Sequence, residues 1–155
     1  AEVAQREPKM HLLLLGECEL RSQISRKVEQ IGLSDRVTFA GTRPDIPHLM
    51  RGAIDVFLFP SLHEGLGLVL VEAQAAGLLC IISDVVPPEA DLVKSLVQRL
   101  SLSQPASEWA KVLLTHRDAK FSIAQSDALA VVETSRFNIN VSVKDLENIF
   151  LEALV

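Results

Sequence analysis

The chain has 155 residues, enough for one globular domain with a real core, and its 48% hydrophobic and 23% charged composition is ordinary for a soluble fold. A net charge of −5 with no run of Lys or Arg leaves no footprint for nucleic acid and no polybasic membrane anchor. No apolar run reaches the length of a membrane span and the start AEVAQRE is too polar for a signal peptide, while Cys18 and Cys80 lack metal-binding spacing and read as free thiols in a cytoplasmic setting.

Residues 1–7 read as the tail of a helix ended near Pro8, an opening that suggests a chain cut from a longer one. Residues 10–15 are a continuous apolar run closing at Gly16, the pattern of a parallel strand buried on both faces. Leu20, Ile24, Val28 and Ile31 then place a buried stripe on a helix over 18–31, with Gly32 as its stop. A short strand over 36–40 leads to the turn Gly41–Asp45, where Pro44 disfavours helix at Arg43, and a short helix over 46–53 turns Leu49 and Met50 inward.

A buried strand over 54–59 and another over 79–83 flank an apolar helix over 66–76 that stops at Gly77. Val85-Val86-Pro87-Pro88 is a rigid loop, residues 89–93 allow only a short helix, and a last strand spans 97–101. Pro105 suits a helix start, with Trp109, Val112 and Leu113 on the apolar face. Residues 118–135 read as one or two helices, and 143–154 as a closing helix with Leu146, Ile149, Phe150 and Leu154 buried. Strands and helices alternate through the first half, up to the strand over 79–83, so the pattern predicts an α/β fold on a doubly wound parallel sheet. Ligands of such sheets bind beyond the carboxyl ends of the strands.

The densest chemistry lies at one such end. Strand 54–59 runs into Pro60-Ser61-Leu62-His63 and then through Glu64-Gly65-Leu66-Gly67 into the helix that carries Glu72. The two glycines let a ligand approach the main chain, and the unpaired amides of a first helical turn favour phosphate. Carboxylates beside a phosphate would repel it. Glu64 and Glu72, seven residues between them, are therefore expected to accept hydrogen bonds from neutral hydroxyls. Hydroxyls, diphosphate, hydroxyls is the layout of a nucleotide sugar. Taken alone, Glu64 is as well explained as an acid favouring the positive end of a helix, and Gly65 and Gly67 as plain turn glycines. Glu72 on a helix apolar nearly all round would be a buried acid in need of a partner.

The glutamate pair within PSLHEGLGL and EAQAAG resembles the donor-binding signature of retaining GT-B glycosyltransferases of family 4, and the likeness extends over nearly the whole chain. Leu12–Gly16 is similar to the second strand of that family's nucleotide domain, Val37–Gly41 to the next, Ser83-Asp84 to the strand end beyond the signature helix, and Phe137-Asn138-Ile139 to the start of its closing helix. The resemblance implies the Rossmann-like C-terminal half of a GT-B fold. It implies Glu64 as the catalytic-site acid on the donor sugar hydroxyls and Glu72 on the ribose. The backbone of Gly65, Leu66, Gly67 and Leu68 would meet the diphosphate or sugar, that of Thr42 and Arg43 the nucleobase, and His63 and Ser61 would line the loop.

The implied ligand is a UDP- or GDP-sugar, with no cofactor and no metal; His11, His48 and His116 show no ligand spacing. The remaining partner is a missing N-terminal lobe of the same polypeptide, through which any peripheral membrane contact would run. Three features depart from the pattern: Leu79 stands where the family has Pro, Phe150 where it commonly has Tyr, and nothing replaces the Arg and Lys that it carries just upstream of the position of Met10. Transfer of a hexose to a saccharide or lipid-linked acceptor, in bacterial polysaccharide assembly, is the expected role. A non-catalytic nucleotide- or partner-binding domain and a GT-B sugar-nucleotide epimerase are the alternatives.

Overall fold

A computed structural model of the protein describes residues 1–117 and 123–153. In chain order its elements are α1 (Glu2–Arg6), β1 (Leu12–Leu15), α2 (Arg21–Gln30), β2 (Val37–Gly41), α3 (Ile46–Gly52), β3 (Val56–Phe59), α4 (Leu68–Ala75), β4 (Leu79–Ser83), β5 (Val97–Leu100), α5 (Ala106–Arg117), α6 (Gln125–Glu133) and α7 (Ile139–Glu152). The chain divides into two compact units, Ala1–Ile46 with Pro105–Asp118, and Pro47–Gln104 with Ala119–Val155. Every strand pair is parallel, as the alternation requires, but the strands fall into two sheets rather than one: β1-β2, and β3-β4-β5.

In the first unit β1 and β2 pair from Leu12 opposite Val37 to Leu15 opposite Gly41, with a slip in register after Leu14. The Gly16 amide extends the pairing by donating to the Gly41 carbonyl at 2.8 Å. α5 packs on α1 and buries Ala110 and Leu113. Gly32, at φ +67°, closes α2 as expected, with the Leu33 amide bonded back to Val28. The stripe expected to be buried is not: α2 buries no residue, and Leu20, Ile24 and Ile31 are exposed. The reason is the narrow sheet beneath it. Two strands leave an open pocket of about 140 Å³ lined by Leu14, Leu15, Ile24 and Phe39 among others, so apolar spacing chose the face without a surface to fill it.

In the second unit β4 lies between β3 and β5, with Leu79 opposite Val56 and Ser83 opposite Leu100, and all five of its residues are buried. A strand covered on both faces is read from its unbroken apolar run Leu79-Cys80-Ile81-Ile82. α4 packs on β4 and on α6, and buries Leu70, Val71, Ala73 and Gln74. It ends where the sequence places its stop. Gly77, at φ +75°, donates to the Gln74 carbonyl at 2.9 Å while Leu78 reaches the Ala73 carbonyl at 3.0 Å, a paired closure that satisfies the last helical oxygens. Val93, Leu96 and Ala128 form a further buried cluster.

The closing helix differs from expectation in where it starts and in what it buries. It begins at Ile139 rather than Val143, because the Asn138 side chain caps it by accepting from the Asn140 amide at 2.9 Å. Its apolar face is exposed at Leu146, Ile149 and Phe150, and the helix buries no described residue; Leu154 lies outside the described residues, as does the 118–122 part of the helices expected over 118–135. Among the described residues no helix is long and apolar enough to cross a membrane.

The two thiols differ sharply. Burial beside the charge of Asp91 pushes the Cys80 thiol well above its ordinary pKa, whereas Cys18 is exposed. Iodoacetamide should therefore label the native protein at Cys18 alone, with Cys80 modified only after denaturation; peptide mass mapping of the two states checks this.

Candidate functional site

The site is built on the turn between β3 and α4. Ser83, fully buried at the end of β4, donates its hydroxyl to the Ser61 carbonyl at 2.6 Å and so ties that strand end to the loop leaving β3. The Ser61 hydroxyl lies 2.7 Å from Glu64 Oε1 and 3.1 Å from the His63 carbonyl. A hydroxyl has one proton, and the shorter, charge-assisted bond to the carboxylate takes it. Glu64 is thus held in place at half burial through one lone pair, with its others open to a ligand.

Gly67 is the N-cap of α4, in the left-handed region at φ 77° and ψ 49°, and no side chain caps the helix. The first backbone bond within the turn runs from the Leu70 amide to the Gly67 carbonyl at 2.8 Å, so the preceding amides have no carbonyl one turn back. An uncapped first turn with no acid in it is an open seat for an anion. A Cβ on Gly67 would meet Val86 Cγ1 at 3.3 Å, whereas Gly65 has open space around it and an ordinary φ. Of the two glycines singled out in the sequence, only Gly67 is used for its conformation.

Glu72 corrects the other expectation. It is exposed rather than buried, on the same side of α4 as exposed Leu68, because residues four apart share a helical face. The buried face is the one carrying Leu70, Val71, Ala73 and Gln74. Glu72 needs no partner on grounds of burial, and its carboxylate is free to meet a ligand about 6 Å along the helix from Leu68.

Ser61, His63, Glu64, Gly65, Leu66, Gly67, Leu68 and Glu72 therefore share one strand-turn-helix segment of the second unit, with His63, Gly65 and Leu66 exposed. Thr42 and Arg43 belong to the first unit, just past β2. The Arg43 side chain is turned to Asp45 in a two-pronged pair at 2.8 and 2.6 Å, which raises its pKa and occupies its guanidinium. That leaves the main chain of this turn for a ligand. Among the described residues no cluster of His, Cys, Asp and Glu could hold a metal ion.

Sequence reasoning missed two things. Ser61 and Ser83 act on Glu64 in series; the three-residue spacing of Ser61 and Glu64 in one turn was the available signal for the first. The pocket beyond β1 and β2 also went unread: there the Arg21 guanidinium sits 5.6 Å from the Phe39 ring centroid and 2.9 Å from Glu17.

Residues 1–115, which span the whole Glu64–Glu72 segment, match the family described as glycosyl transferases group 1. The chain belongs to the group 1 glycosyl transferases. Among its relatives in this family, EpsF of Bacillus subtilis (strain 168), which carries the name of a glycosyltransferase, is 46% identical over 113 residues, covering 73% of this chain and 29% of the relative. The UDP-Gal:alpha-D-GlcNAc-diphosphoundecaprenol alpha-1,3-galactosyltransferase of Escherichia coli is 37% identical over 79 residues, covering 50% of this chain and 20% of that enzyme. Anabaena Alr3699/HepE, solved in complex with UDP-glucose, shares the fold at a TM-score of 0.79 and 23% identity, over 96% of this chain and 43% of the neighbour. This glycosyl transferase chain thus spans under a third of both sequence relatives.

Proposed function

We propose that this chain is the nucleotide-sugar-binding lobe of a retaining GT-B glycosyltransferase that moves a hexose from a nucleoside diphosphate to a saccharide or lipid-linked acceptor in bacterial polysaccharide assembly. The observation that carries this reading is the hydrogen-bonded series Ser83, Ser61, Glu64 set against the uncapped amino end of α4. Glu64 takes the sugar hydroxyls, the amides from Gly65 to Leu68 the diphosphate, and Glu72 the ribose diol. In the reaction the bond from the anomeric carbon to the diphosphate oxygen breaks, a bond to the acceptor oxygen forms, and the acceptor hydroxyl loses its proton. Negative charge collects on the departing diphosphate, where helix amides stabilise it without reorganising.

The uridine form of the donor is supported by the UDP-glucose complex of HepE and by UDP-Gal in the name of the Escherichia coli relative, and a lipid-linked acceptor by the diphosphoundecaprenol in that same name. An acceptor-binding lobe and the missing Arg and Lys cations are assigned to further parts of a longer polypeptide. Calorimetry of the chain with UDP, GDP and ADP tests the reading. Binding should be weak, on the order of 0.1 to 1 mM, because the helix seat and the acids act without the cations. Nanomolar affinity, or sugar transfer by these 155 residues alone, would show that the cations and the second lobe are not required. Absence of binding by all three nucleotides would remove the seat itself.

A further inference from the structure

Beyond the turn that carries Glu64, a second loop closes on the same helix end. Val86, 1% exposed, packs against Gly67, so the loop following β4 forms the wall beside the α4 amino end. Two polar side chains from different elements hold that loop. Arg99 of β5 grips Asp91 with Nε and Nη2, each at 2.9 Å, and donates to the Val86 carbonyl at 2.6 Å and the Pro87 carbonyl at 3.3 Å. Gln74 of α4, fully buried, donates to the Ala90 carbonyl at 2.7 Å and to Leu70 at 3.0 Å, and accepts from the Val93 amide at 2.8 Å. One clamp fixes residues 86–87 and the other residues 90–93, and the second is rooted in the helix whose amino end is at issue.

The backbone bonds within the loop are local, from Ala90 to Pro87 and from Asp91 to Pro88, and tie it to no neighbouring element; Arg is suited to that task because its planar fork can serve a carboxylate and carbonyls together. We propose that Arg99 and Gln74 are positioning residues for the donor: they lock residues 86–93 against Gly67 and thereby fix the α4 amino end in the geometry that receives the diphosphate. The donor half of this inference rests on the function proposed above. The lock itself does not.

The test uses Arg99→Lys, which keeps the charge but cannot reach Asp91 and both carbonyls at once. Amide hydrogen exchange of the unliganded protein should rise ~10-fold at 67–70 and 86–91 while β4 keeps its protection, since loss of one clamp opens a local unit rather than the fold. Affinity for UDP-glucose should fall ~10-fold in the same variant, as the seat loses its preorganisation. Exchange that is unchanged, or that rises at 67–70 only in step with β4, overturns the lock and leaves Arg99 a general stabiliser. Localised exchange with UDP-glucose affinity unaltered overturns the donor role while the lock stands. If the parent protein binds no nucleotide sugar at all, the functional reading fails together with the donor half, and the exchange result still decides the lock. Should Arg99→Lys not fold, Asp91→Asn, which keeps the shape of the pair and weakens its charge, is read by the same two measurements.

Discussion

On the function proposed above, Glu64→Gln placed in the longer polypeptide is expected to lower turnover and sugar-nucleotide affinity while leaving affinity for the bare nucleoside diphosphate nearly intact. The carboxylate accepts from the Ser61 hydroxyl through one oxygen and has lone pairs left for sugar hydroxyls. The amide replaces one acceptor with a donor. It keeps the shape and gives up the charge-assisted bonds, each worth roughly 1.5 to 3 kcal/mol in a dry site, so a loss of roughly 10- to 150-fold follows. Glu72→Gln should behave otherwise, weakening the nucleotide and its sugar conjugate by the same factor, because a ribose is common to both. Ser61→Ala should fall between wild type and Glu64→Gln, since it frees Glu64 to turn without removing it. If Glu64→Gln weakens the bare nucleotide as much as Glu72→Gln does, sugar and ribose are not divided between the two acids. If neither change alters the intact enzyme, the paired glutamates are structural.

The three glycines around α4 should separate just as clearly in stability. Gly77→Ala forces a Cβ into a left-handed residue, costing about 1 to 2 kcal/mol, and sets that carbon 3.1 Å from Gln125 Cα, a backbone atom of α6 that cannot swing away. With repacking added, the total should reach about 2 to 4 kcal/mol. Gly67→Ala carries the same conformational cost with a softer neighbour, the Val86 methyl at 3.3 Å, so about 1 to 2 kcal/mol is expected. Gly65→Ala meets nothing within 4 Å at an ordinary φ and should be neutral or stabilise by about 0.4 to 1 kcal/mol through the unfolded chain. Urea denaturation followed by circular dichroism gives the order. A Gly65→Ala as costly as Gly77→Ala would mean that the turn needs its first glycine for a conformation the free structure does not display.

These differences mark how far the sequence could be read. The strand, turn, helix and strand from 54 to 83 lie within a residue or two of their expected bounds, because an unbroken apolar run, paired glycines and a terminal Gly77 are local signals with local causes. Asn138 was a local signal too, yet its cap moved the start of α7 by a turn. What could not be read was exposure. Periodicity names the residues of α2 and α7 that share a face, and it is silent on whether anything covers that face. Glu72 failed in the same way: apolar neighbours in sequence suggested a buried helix, while the helix shows Leu68 and Glu72 to solvent. The clamps of Arg99 and Gln74 join residues 8 and 16 positions from their targets, and no spacing rule links a strand arginine to the loop before it. A glutamine amid Leu70, Val71 and Ala73 was the single visible hint.

Trp109 sits on α5, in the first unit, and the chain has one tryptophan and no tyrosine. The optical properties of the protein follow from that placement. Indole emission reports the surroundings of α5, while the unit that carries Glu64, the clamped loop and the glycine-bounded helix has only phenylalanine and is dark at the wavelengths used for tryptophan. A fluorescence melt would register the surroundings of α5, and the unit that carries Glu64 needs a probe of its own.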